Sequence, residues 1–145
     1  MEKELIVKKS VTVNADISKV WDALTNPERT KNYMFGCEAL SDWKVGSPLI
    51  WKGAADGKVY VKGNIVKIQH EKLLQYTTFD PNSDFEDVPS NYLTVTIELS
   101  PEKGQTTLSV TQGDFAGVEN GEKRYNDSIG GWDYALKGLK EVVEK

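Results

Sequence analysis

The sequence predicts an α+β fold in which a curved antiparallel sheet of about six to seven strands wraps a long C-terminal helix, with two short helices after the first strand. Three observations carry this expectation. Across residues 122–145 the apolar residues Tyr125, Ile129, Trp132, Leu136, Leu139 and Val143 recur at steps of four and three, while Asp133, Lys137, Lys140, Glu141 and Glu144 occupy the opposite face. That is the period of an amphipathic helix. Over residues 37–112 the period changes to two, with turn-forming clusters between the runs. Ahead of that region, residues 16 and 26 carry helix-start signals. A helix of this length is marginal in water alone, so its stripe has to be buried against the strands.

Residues 5–13 alternate Leu5, Val7, Val11 and Val13 with Ile6, Lys8, Ser10 and Thr12, which makes a half-buried strand. Asp16 is placed to cap a helix over 17–25, where Ile17, Val20, Trp21 and Leu24 form an apolar stripe. Asn26 caps a second short helix, Pro27 suits its first position, and Glu28 complements its dipole before the segment ends near Gly36. Strands are expected at 37–44, 49–53, 59–68 and 73–79, separated by turns at 45–48, 56–57 and 69–72. Loops this short make neighbouring strands antiparallel. The last pair is the cleanest: Leu93, Val95, Ile97 and Leu99 alternate with Thr94, Thr96 and Glu98, and Leu108 and Val110 with Thr107, Ser109 and Thr111. Residues 101–104 join that pair as a hairpin. Each strand has one apolar and one polar face, so one side of the sheet is wet and the other turns toward the terminal helix.

Composition narrows the function. A chain of 145 residues fits a single domain over 1–145, and the net charge of -4 without any basic block argues against nucleic acid. Cys37 is the lone cysteine, which excludes an internal disulfide and fits a reducing compartment; the cytoplasm is expected. No stretch has the length and apolarity of a membrane span or leader, so no membrane insertion is expected. His70 is the lone histidine, which rules out a histidine triad with a second histidine or a multi-histidine metal site; it reads as a solvated turn residue. Residues 80–87 alternate oxygen donors as a calcium loop does, but Phe85 stands at the sharp-turn glycine position and Asn91 at the closing glutamate position. No glycine-rich loop follows a strand and opens a helix. Neither metal nor cofactor is expected, Cys37 reads as an ordinary strand residue, and no catalytic residue can be named.

Motifs distributed along the chain then bear on its kinship. They are Val13-Asn14-Ala15-Asp16, Val20-Trp21-Asp22-Ala23-Leu24-Thr25, Asn26-Pro27, Lys62-Gly63-Asn64-Ile65-Val66-Lys67-Ile68, Thr106-Thr107-Leu108-Ser109-Val110-Thr111-Gln112 and Gly130-Gly131-Trp132 with Leu136 and Leu139. In this order and spacing the chain resembles the START-like helix-grip (SRPBCC) superfamily. Within it, the chain is similar to the group of the C-terminal domain of the activator of heat shock protein 90 ATPase. The resemblance implies a cavity between sheet and helix.

Facing residues are expected to include Trp51, Tyr76, Val95, Ile97, Val110, Phe115, Trp132 and Leu136, with Met34 and Phe35 near the mouth. Gln112, Tyr76, Tyr125 and Asp114 are the polar groups that could reach it. The residues alone leave a filled core equally open. An empty cavity of about 300 Å³ would cost about 7 kcal/mol at roughly 24 cal/mol per Å³, so any such space should hold ligand or water. Gly130-Gly131, each about 1 kcal/mol unfavourable in a helix relative to alanine, are expected to let the helix approach the sheet closely beside Trp132, and the alternative is that their missing side chains leave room for a ligand over the helix's first half.

The leading expectation is a non-enzymatic domain that binds a small apolar or amphipathic molecule between sheet and helix. A chaperone-cofactor-like interaction domain is the alternative, with the acidic loop 80–87 as its contact. A cyclase- or hydratase-type enzyme is the second alternative, and would need an acid or base such as Asp114 or Tyr125 in the cavity.

Overall fold

The computed structural model describes residues 4–144. In chain order the elements are β1 (Val7–Val13), α1 (Ile17–Thr25), α2 (Pro27–Thr30), β2 (Cys37–Ser41), β3 (Pro48–Gly53), β4 (Val59–Gln69), β5 (Leu73–Thr78), β6 (Leu93–Glu102), β7 (Gln105–Gly113) and α3 (Gly121–Glu144). Among the described residues the seven strands form one sheet ordered β1-β7-β6-β5-β4-β3-β2, antiparallel at every pairing. From β2 to β7 each strand lies beside its sequence neighbour, as short loops dictate. Only β1 crosses over, to pair with β7. Two 3₁₀ turns, Pro89–Asn91 and Phe115–Gly117, were not foreseen from the sequence.

The expected elements are present, with shifted ends. β1 starts at Val7 rather than at residue 5, because Leu5 is engaged elsewhere: its N–H donates to the Asp114 carboxylate at 3.0 Å and its carbonyl accepts from the Phe115 N–H at 2.9 Å. The second helix is a single turn, with irregular turns on to Gly36. Asn26 caps it as expected, accepting from the Glu28 N–H at 3.0 Å. Asp16 does not cap α1 through its side chain. It occupies the N-cap position, but only its backbone carbonyl is used, and the exposed carboxylate stays in water. Residue 145, expected in the last helix, lies outside the described residues.

Alternation places one row of side chains across the sheet's inner face. Register aligns Val7 with Gln112, Gln112 with Val95, Val95 with Tyr76 and Tyr76 with Ile65, and all five are buried. Above the sheet, α3 buries Ala135, Leu136, Leu139 and Val143, and α1 adds Val20, Trp21, Ala23 and Leu24 to the same core. Tyr33 locks the junction: its hydroxyl donates to the Ala23 carbonyl at 2.6 Å. The first half of α3 rests on a second, smaller cluster of Val7, Leu93 and Phe115, against which Tyr125, Ile129 and Trp132 pack.

Two glycines mark places where backbones come together. A Cβ on Gly63 in β4 would stand 1.7 Å from the Thr77 carbonyl oxygen, beside the register shift between Ile65 and Lys67. A Cβ on Gly138 would stand 2.9 Å from Tyr33 Cβ. Close helix packing therefore occurs at Gly138. At Gly130 a Cβ would meet nothing within 4 Å, and at Gly131 only Phe35 Cζ at 4.0 Å. The expectation that Gly130-Gly131 permit close approach to the sheet is thus corrected: the sheet is not there.

These positions respond oppositely to the same substitution. Gly63→Ala is expected to destabilise the protein by about 1–3 kcal/mol, because the backbone must shift. Gly130→Ala, on an exposed helical position, is expected to stabilise it by about 0.5–1 kcal/mol. Urea denaturation midpoints of the two variants against the parent check both signs.

Candidate functional site

The two ends of the space between sheet and α3 are filled differently. Toward α1, side chains including Leu24, Tyr33, Leu74, Ile97, Leu108, Leu136 and Leu139 leave only about 20 Å³. Under the first half of α3 a cavity of about 300 Å³ remains. The difference follows from side-chain size. α1 and Tyr33 fill the first end, whereas α3 offers Asp127, Ser128, Gly131 and Ala135 over the second. Met34, Trp51, Tyr76, Trp132 and Ala135 border both spaces and so form the partition between them.

Seven of the expected site residues line the cavity: Met34, Phe35, Trp51, Tyr76, Val95, Gln112 and Trp132. Ile97 and Leu136 lie instead at the filled end, where α1 closes the core. Val110 is buried in the main core and reaches neither space. Phe115 and Tyr125 are placed elsewhere too. They meet edge to face, with ring centroids 5.9 Å apart, in the smaller cluster that anchors α3. Asp114 is exposed and does not border the cavity; it ties the start of the chain to the Phe115 turn, accepting from the Leu5 N–H at 3.0 Å and the Ala116 N–H at 2.8 Å. Those two backbone donors hold its carboxyl below the usual range.

Sequence reasoning missed Val61, Thr78, Asp127, Ser128 and Ala135 in the lining, while Gly131 borders the cavity as the less favoured reading of the glycine pair allows. Ser128, Gly131 and Ala135 follow one another at helical spacing beside the apolar stripe, a signal available only to a reader who knows which flank of the stripe the sheet leaves uncovered.

The walls are mostly apolar and aromatic, and three of the side chains with polar groups among them are connected. Trp132 Nε1 donates to Gln112 Oε1 at 2.9 Å, Gln112 Nε2 donates to Thr78 Oγ1 at 3.4 Å, and the Thr78 hydroxyl donates to the Leu93 carbonyl at 3.4 Å. Tyr76 is 2% exposed, and its hydroxyl has no hydrogen-bond partner among the described residues. Among those residues no buried side-chain oxygen or nitrogen is left both unpartnered and shut off from open space. The Tyr76 hydroxyl therefore borders the void. Burial raises its pKa above the ordinary tyrosine value, as it does for Tyr33.

At the mouth Phe35 and Tyr134, both mostly exposed, stack with centroids 5.1 Å apart. Phe35 has φ 56° and Gly36 φ 77°, so the chain reverses there and turns the Phe35 ring outward over α3. A neighbouring hollow of about 330 Å³ continues past Met34, Phe35, Trp51 and Val61 to Cys37 and Tyr60. Burial, then the charge of Asp56, pushes the Cys37 thiol up, the opposite of what a nucleophile needs. His70 stands exposed in the turn after β4, edge-on to Trp21 at 5.7 Å. In the 80–87 loop, Asp87 pairs with Lys62 and accepts from the Tyr92 hydroxyl at 2.6 Å, while the Arg124 guanidinium lies 4.6 Å over the Phe85 ring. Among the described residues no three His, Cys, Asp or Glu side chains are grouped to hold a metal, and no helix is long and apolar enough to cross a membrane.

The model of the family described as "Activator of Hsp90 ATPase homolog 1-like protein" matches residues 14–144. The chain belongs to that family. The START-like, helix-grip reading of the fold therefore holds. Among solved structures, the solution structure of ChR145 from Cytophaga hutchinsonii is 41% identical, covering 99% of this chain and 97% of that one, with a TM-score of 0.78. The Aha1 dimer from Colwellia psychrerythraea is 16% identical over 96% of both chains, with a TM-score of 0.75. CalU16 from Micromonospora echinospora is 19% identical over 95% of this chain and 75% of that one, with a TM-score of 0.74. At such identities the last two show a shared fold alone. A comparison with curated protein sequences found no match.

The two buried tyrosines of this family member give its alkaline behaviour a definite sign. Because folding raises their pKa values, their contribution to stability is complete below the unfolded tyrosine value of about 10 and declines as pH rises above it. In a spectrophotometric titration, Tyr33 and Tyr76 are expected to ionise only together with the loss of tertiary structure. The Tyr76→Phe variant should lose one such late-titrating group, and unchanged counts in the two proteins would contradict this.

Proposed function

We propose that this chain is a non-enzymatic binding domain for a small apolar or amphipathic molecule, held under the first half of α3. One observation carries the reading. The 300 Å³ cavity sits at the lower end of the range of about 300–1,000 Å³ usual for small-molecule sites, and its walls are aromatic and aliphatic with a few convergent polar groups. The glycine at 131 supports it further, since a side chain there would project toward the mouth beside Phe35. An enzymatic role of the cyclase or hydratase kind has less support. Asp114 and Tyr125, the groups considered for it, stand outside the cavity, and Asp127 at its edge is paired with Lys123 at 2.8 Å.

Family membership and the exposed loop support a second reading, a surface for an Hsp90-type chaperone. Asp84 and Glu86 are exposed and form no ion pair among the described residues, so their charge is free for a partner. Addition of the protein to purified Hsp90 without binding or a change in ATPase rate would dismiss it.

The cavity reading is tested by native mass spectrometry of protein purified without denaturation, and by calorimetric titration with small apolar compounds. The expected result is a co-purifying molecule or saturable binding that Gly131→Phe reduces at least tenfold while thermal stability is kept. Undiminished binding in Gly131→Phe would place the ligand elsewhere.

A further inference from the structure

We propose that Gln112, its amide orientation set by Trp132, makes the cavity selective for ligands that carry an uncharged acceptor oxygen, such as a ketone, ester or amide carbonyl. This inference rests on the binding role proposed above and adds the chemical class of the ligand.

The argument is an accounting of donors and acceptors. An indole N–H can only donate, so the group 2.9 Å from Trp132 Nε1 has to be the amide oxygen of Gln112. That assigns the NH₂ end of the amide to the other direction. One of its hydrogens goes to Thr78 Oγ1, whose own hydrogen is committed to the Leu93 carbonyl. Thr78 therefore acts toward Gln112 as an acceptor, which agrees with the orientation Trp132 imposes. The second amide hydrogen has no acceptor among the described residues, although Gln112 is only 9% exposed and lines the cavity. Two strands away in the same row, with Val95 between them, the buried Tyr76 hydroxyl also lacks a protein partner. The Tyr76 hydroxyl and the Ser128 hydroxyl, which also lines the cavity, can each donate or accept, so the spare amide hydrogen is the group that demands a partner of one kind, and its complement is an acceptor.

Charge narrows the class further. Among the described residues no lysine, arginine or histidine lines the cavity, and Asp127 is the one charged residue that does. A carboxylate ligand would lose hydration inside apolar walls, gain no cation, and approach a like charge. A hydrocarbon would leave the buried amide hydrogen unmatched. A neutral carbonyl meets the donor without either penalty.

Three compounds of matched size separate these cases: valerophenone, phenylvaleric acid and pentylbenzene. Calorimetric titration of the full chain is expected to show the ketone binding roughly tenfold tighter than the hydrocarbon and the acid. In Gln112→Met, an apolar replacement of similar volume, the advantage over pentylbenzene should vanish, with pentylbenzene binding more tightly than to the parent because no amide hydrogen is left unmatched. Because that variant could fold poorly, the parent protein supplies an independent readout: the Gln112 side-chain amide protons should shift in NMR spectra with the ketone and not with pentylbenzene. Equal binding of ketone and hydrocarbon, or a preference that survives in Gln112→Met, would overturn the selectivity and leave the binding role standing. Failure of all three to bind would overturn both.

Discussion

The structure depends on one geometrical constraint: α3 is a rod, and the surface it must bury itself on is curved. A helix of 24 residues runs for about 36 Å. Antiparallel strands twist, and the register shifts between Trp51 and Lys52 in β3 and between Ile65 and Lys67 in β4 bend this sheet further. A rod and a curved wall cannot stay in close contact along their whole length unless side chains make up the difference. Toward α1 they do, with Leu136 and Leu139 meeting Leu24, Leu74 and Leu108. Under the first half of α3 they do not, because that half carries small residues on the flank toward β4 and β5. The helix is held there from the other flank, by Tyr125 and Ile129 on Phe115. The cavity is thus a product of where bulk was placed, and needs no special backbone.

The fold was readable because periodicity is a strong signal over long segments. The terminal helix, the first helix and the alternation of the late strands each repeat their pattern several times, and each was found where expected. Ends were less readable because they turn on individual competing hydrogen bonds. Leu5 continues the alternation of β1, yet its N–H and carbonyl are taken by Asp114 and Phe115. Asp16 is a residue type that caps, yet its carboxylate makes no capping bond.

The site was readable to the extent that facing a helix follows from alternation. Gln112, Val95 and Tyr76 lie in one register row, and all three border the void. Alternation could not say which end of that face would be filled, and so Ile97 and Leu136 were grouped with residues that line open space. Nor could it say that Phe115 and Tyr125 would pair with each other to brace the helix. The two glycines were the most misleading feature. Their bland explanation, close packing, is true of a glycine seven residues on from Gly131, at Gly138, where Tyr33 crosses. At 130 and 131 the absent side chains face solvent and cavity.

That pair of glycines also divides α3 into halves with separate anchors, one on Phe115 and one on the main core. Consecutive glycines are the weakest link in a helical hydrogen-bond ladder. The roof of the hollow is therefore one continuous helix held by an aromatic brace on its leading side and by the main core on its trailing side, with two residues that lack side chains at the join.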